Sequence, residues 1–161
     1  MDDKSKIIEK KHRLSPEVYQ GGNFVFFTIC VKDRKELFSD PNVVREFEKV
    51  LFEELNKKNC TAWIYIFMPD HLHIIISGKA SAADPRKCIS MFKQRTGFWL
   101  SQKHNGFFWQ KDYYDHILRS SENLVNNVKY ILNNPVRAGI VSYWKHYKFF
   151  GSTEYNLNDW E

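Results

Sequence analysis

Residues 61–77 read T-A-W-I-Y-I-F-M-P-D-H-L-H-I-I-I-S, and this stretch decides the fold. Two runs of β-branched and aromatic residues, 61–68 and 71–77, flank the turn pair Pro69-Asp70. They predict an antiparallel hairpin. The second run opens with His71 and His73 around Leu72. Side chains on a strand alternate faces, so the two imidazoles point the same way, roughly 7 Å apart along the backbone. Leu72 points oppositely, and Asp70 is expected to point away from the histidines. Two imidazoles so placed suit one divalent ion. They equally suit polar positions on a sheet edge, and the pair alone leaves both readings open.

Working outward, residues 23–31, N-F-V-F-F-T-I-C-V, predict an earlier strand. Asp40-Pro41 opens a helix through about Asn56, whose apolar positions Val43, Val44, Phe47, Val50, Leu51 and Leu55 follow a 3.6-residue period. After the hairpin, Asp84 caps and Pro85 begins a helix to about His104. A short strand is predicted near 107–110, past the turn Asn105-Gly106, and Tyr113 to Leu118 is ambiguous. Ser120 or Ser121 is expected to cap a last helix, which Pro135 ends at Asn134. Strand, helix, strand, strand, helix, strand, helix is the order of an α+β domain, and a ferredoxin-like or RRM-like antiparallel sheet packed with helices fits it. At 161 residues one domain is expected, spanning 21–150, between a flexible N-terminal segment (1–20) and a C-terminal tail (151–161).

No apolar run approaches the ~20 residues of a membrane span, and the charged N-terminus has no signal-peptide core. Cys30, Cys60 and Cys88 are odd in number and form no C-x-x-C pair, as expected of buried thiols in a reducing cytoplasm. The net charge of +5 is matched by residues 85–119, with seven cations (Arg86, Lys87, Lys93, Arg95, Lys103, Lys111, Arg119) against Asp112 and Asp115. Aromatic residues are interleaved there. Cations neutralise phosphates and rings stack on unpaired bases, although a solvated basic face over an aromatic core has the same composition.

Winding 121–134 at 100° per residue places Leu124, Val128, Ile131 and Leu132 on one stripe. Asn123, Asn127, Tyr130 and Asn134 fall on another, with Tyr130 one turn before Asn134. Such a tyrosine either seals a helix edge or projects into a site. A phenol, with a pKa of about 10, attacks phosphorus only when the phosphate's charge is withdrawn and its geometry fixed. Two histidines and an amide oxygen on a divalent cation would do both, and Tyr130 would form a phosphotyrosine link to DNA.

M-P-D-H-L-H-I-I-I (68–76) resembles the His-hydrophobe-His motif of the HUH endonucleases. W-Q-K-D-Y-Y-D-H-I-L-R (109–119) and Y-I-L-N-N-P-V-R-A-G-I-V (130–141) resemble the REP-associated tyrosine transposases, within the IS200-like single-tyrosine transposase family. The similarity covers roughly residues 13–150. It implies single-strand DNA cleavage and rejoining, with His71 and His73 on a central strand as ligands of magnesium or manganese. Asn134 matches the third ligand and Tyr130 the nucleophile, which keeps the 5′ phosphate and releases a 3′ hydroxyl. Single-stranded or hairpin DNA is the implied partner, with Arg86, Lys87, Lys93, Arg95, Arg119 and Arg137 as candidate contacts, and either a monomer or a homodimer as the working unit. A non-catalytic DNA-binding module or a replication-initiator nickase would share much of this pattern.

Overall fold

The structure is a computed structural model that describes residues 14–119 and 122–161. Five strands make one sheet: β1 (Val25–Cys30), β2 (Cys60–Met68), β3 (His71–Gly78), β4 (Tyr114–Ile117) and β5 (Phe150–Gly151), in the order β4-β1-β3-β2-β5. Every neighbouring pair is antiparallel. The hairpin closes through Pro69-Asp70, with Met68 opposite His71. The two crossovers run through α1 (Pro41–Lys57) and α2 (Pro85–Lys103). Both helices start where their caps predict: Asp40 accepts from Asn42 N–H, and Asp84 from Arg86 N–H, each at 2.9 Å. A right-handed strand-helix-strand crossover puts both helices on one face. There Leu72, Ile74 and Ile76 of β3 meet Phe47, Leu51, Ile89 and Phe92 in the main core. This is the α+β, ferredoxin-like arrangement, with β5 added at an edge.

The other face carries a second apolar cluster. Ile64, Ile66, Met68 and Ile75 pack against Val128, Ile131 and Leu132 of α3 (Leu124–Leu132). The C-terminal chain completes it with Trp144, Tyr147 and Leu157, and the Tyr147 hydroxyl donates to the Phe67 carbonyl. The expected tail is thus a wall of the domain.

Four expectations change. The fourth strand lies at 114–117, not 107–110, where only the single bridge Val31–Trp109 forms. The helix cap is Asn123, whose side chain accepts from Asn126 N–H at 3.2 Å, while Ser120 and Ser121 lie outside the described residues. The helix stops at Leu132, and Asn134–Arg137 form a separate turn, α4, with Pro135 in its first turn. Proline has no N–H to continue the ladder and its ring crowds the preceding turn. Of the N-terminal segment, residues 1–13 lie outside the description, but Tyr19 is fully buried in the main core.

Candidate active site

Alternation along β3 sends His71 and His73 to the face that carries α3, away from α1 and α2. Their Nε2 atoms approach to 3.1 Å. Each Nδ1 is held from behind: His71 by Asp70 Oδ1 at 2.7 Å, His73 by Thr28 Oγ1 at 2.8 Å on the adjacent strand. Phe26 stacks on His73 with ring centroids 5.4 Å apart. Fixing one ring nitrogen sets the orientation of the other, the arrangement that metal-ligating histidines use.

Asp70 does not point away from the histidines. It precedes β3 in the turn, where strand alternation does not apply. Its buried carboxylate takes Arg34 Nε at 3.1 Å and Arg34 Nη2 at 3.3 Å as well as His71. Burial pushes the Asp70 carboxyl up, but the hydrogen bonds from His71 and Arg34 win and hold it well below the usual carboxylate range. Asp33 and Arg34 both adopt left-handed backbone, at φ 59° and 53°. Such strain persists where surrounding contacts enforce it, and here it aims the Arg34 guanidinium at Asp70.

His73 keeps part of its surface open to solvent. The dense surroundings of its ring push its pKa well below the ordinary histidine range, and the charges of His71, Arg137 and Arg34 add to this. An imidazole kept neutral is the form that binds a metal ion. Among the described residues no three His, Cys, Asp or Glu side chains gather as a metal-holding group. Asn134 is half-buried at the start of α4.

Tyr130 lies on α3 and is 56% exposed. The Arg137 guanidinium sits 3.7 Å from its ring centroid, and Arg137 Nη1 donates to the Tyr130 carbonyl at 2.8 Å. No feature of the sequence marks this stacking, which spans seven residues across the break at Asn133.

The other predicted DNA contacts are dispersed. Arg86, Lys87, Lys93 and Arg95 lie on α2, which covers the opposite face. Arg95 pairs with Glu53 at 2.6 Å and Glu54 at 2.9 Å on α1. Lys93 donates to the carbonyls of Gln110 and Lys111 at 2.9 and 3.1 Å, and Arg86 covers the Tyr19 ring. Arg119 is exposed just past β4.

A family model described as "Transposase IS200 like" matches residues 24–134. A Haemophilus influenzae protein provisionally named a REP-associated tyrosine transposase is 22% identical over 144 residues, covering 80% of this chain and 78% of that protein. An uncharacterized protein of the same organism is 28% identical over 156 residues, covering 77% and 86%. The solved structure of a REP-associated tyrosine transposase bound to a REP hairpin superposes with a TM-score of 0.71 at 20% identity, covering 88% of this chain and 81% of its own.

Proposed function

The chain belongs to the IS200-like transposase family, and from that premise we propose that it is a metal-dependent single-strand DNA endonuclease and strand transferase acting through Tyr130. The observation that carries this reading is the pair of converging Nε2 atoms, 3.1 Å apart, each backed by an oxygen on Nδ1. His71 and His73 would hold magnesium or manganese, with the Asn134 amide oxygen as third protein ligand. When bound, such a cation withdraws charge from the scissile phosphate.

The rest falls to the chain's own residues. The Tyr130 phenol is open to solvent and attacks the phosphorus. The bond from Tyr130 Oη to phosphorus forms as the bond to the 3′ oxygen breaks. The phenolic proton passes to the departing 3′ oxygen, which leaves as a hydroxyl, and the 5′ phosphate stays on the tyrosine. Because the phosphoester is conserved, rejoining is the same step reversed with another 3′ hydroxyl. Arg137 holds the Tyr130 ring through a cation–π contact and its carbonyl through a hydrogen bond, which fixes the phenol's direction.

The relative of known structure binds a REP hairpin, and we extend single-stranded or hairpin DNA to this chain as substrate, with Arg119 and Arg137 as contacts. The test is a cleavage assay on single-stranded oligonucleotides, with and without flanking hairpins, in Mn²⁺. A covalent protein–DNA adduct is expected, absent in Tyr130→Phe and in chelator. Binding with no adduct under any of these conditions would leave a DNA-binding module and reject the nuclease.

A further inference from the structure

The segment leading into β4 holds a feature that the tyrosine chemistry does not use. Trp109 bridges Val31, with Lys32 N–H donating to the Phe108 carbonyl at 2.8 Å and Gln110 N–H to the Cys30 carbonyl at 2.9 Å. Trp109 follows Val31 into the main core, where its indole N–H meets Thr96 Oγ1 at 2.8 Å. Phe108 precedes this bridge, and Lys32 follows Val31 into the turn Lys32–Arg34, where the strand has ended. The neighbouring residue Cys30 stands opposite His71. Lys32 opens the short turn that ends in Arg34, whose guanidinium holds Asp70. The segment therefore adjoins the strand end and the turn that position the histidines and Asp70.

Phe108 is 54% exposed. With Lys32, Trp109, Gln110 and Lys111 it lines an open cleft of about 450 Å³, within the range of small-ligand sites. No carboxylate lines the cleft. Among the described residues, neither the Lys32 nor the Lys111 ammonium has a hydrogen bond or ion pair. An uncovered ring between two unengaged cations complements an unpaired base with its phosphates, because every base has a π face and an ammonium binds phosphate as a point charge.

We propose that this ledge is a subsite for one unpaired nucleotide of the strand entering the histidine site, with Phe108 stacked on the base and Lys32 and Lys111 on the flanking phosphates. The identity of the strand rests on the nuclease reading above. The subsite tolerates any base, so it sets where the strand lies without choosing its sequence.

The test uses the full chain and unpaired oligonucleotides carrying 2-aminopurine at successive positions. Emission is expected to be quenched at one position. The quench is lost in Phe108→Ala, with affinity falling roughly five- to 150-fold, and restored in Phe108→Trp. Lys32→Ala and Lys111→Ala each lower the slope of log affinity against log salt by about 0.7. An undiminished quench and affinity in Phe108→Ala, or an unchanged slope in both lysine variants, overturns the subsite. So does self-association that Phe108→Ala abolishes while DNA binding is unaltered, which would give the ledge to a second copy. Adduct formation by the parent chain is scored separately: an adduct without the stacking signals rejects the ledge alone, and stacking signals without an adduct reject only the nuclease.

Discussion

Replacing Thr28 by valine tests whether the histidine pair is an organised ligand set. Thr28 is 2% exposed, and its Oγ1 lies 2.8 Å from His73 Nδ1. Valine keeps the β-branch and the volume but exchanges the hydroxyl for a methyl group. A buried ring nitrogen left without a partner costs about 1–3 kcal/mol. The lower half of that range applies, because His73 is partly open to solvent. In a chain of this size each kcal/mol lowers Tm by about 2–4 °C. The larger effect falls on the metal. With Nδ1 untethered the ring loses its fixed orientation, and loss of such a supporting hydrogen bond weakens metal binding about 10- to 100-fold. A 100-fold weaker site forfeits about 2.7 kcal/mol of the stabilisation that saturating metal provides. Calorimetric titration with Mn²⁺ and melting with and without Mn²⁺ read both numbers. Thr28→Ser keeps the hydroxyl and should bind manganese as the parent does, despite its lost methyl. Equal manganese affinity in Thr28→Val and the parent, or equal loss in the serine and valine variants, would refute the orienting role of the hydroxyl.

Arg34→Ala should weaken manganese binding about tenfold and cost roughly 1–3 kcal/mol in urea unfolding, because it removes both guanidinium bonds from the buried Asp70 carboxylate. Arg95→Ala should cost about 1–2 kcal/mol, because buried Glu54 loses its nearer cation and keeps only the exposed Lys57 at 3.8 Å; oligonucleotide affinity should stay within about twofold, and a large loss would return α2 to the DNA interface. Mixing His73→Ala with Tyr130→Phe chains should restore no adduct if the tyrosine serves its own chain, and recovery of the adduct would show that tyrosines are exchanged.

What could be read locally was legible in the sequence. Asp40-Pro41 and Asp84-Pro85 announce two helices by the chemistry of their caps, and the hairpin around Pro69-Asp70 carries its own turn. The elements misread depend on distant partners. Phe107, Phe108 and Trp109 look like a strand, but the chain bulges after one bridge and rejoins β1 only at Tyr114. Asp70 obtains its meaning from Arg34, 36 residues away. Arg137 reaches Tyr130 only because Pro135 forces a new turn after Asn133. Charge counting located the basic stretch without its facing, and Glu53 and Glu54 on a different helix engage Arg95. The histidine pair was legible because period-two alternation needs only the strand itself.

Leu72 is fully buried between the two imidazoles, on the opposite side of the strand. Slippage of the hairpin by a single residue would therefore turn both histidines into the main core and move Leu72 to the face that carries α3. Competence to fold and competence to react are checked by one event, the closure of that turn. A hairpin paired in any other register would lose its core packing and its histidine pair together.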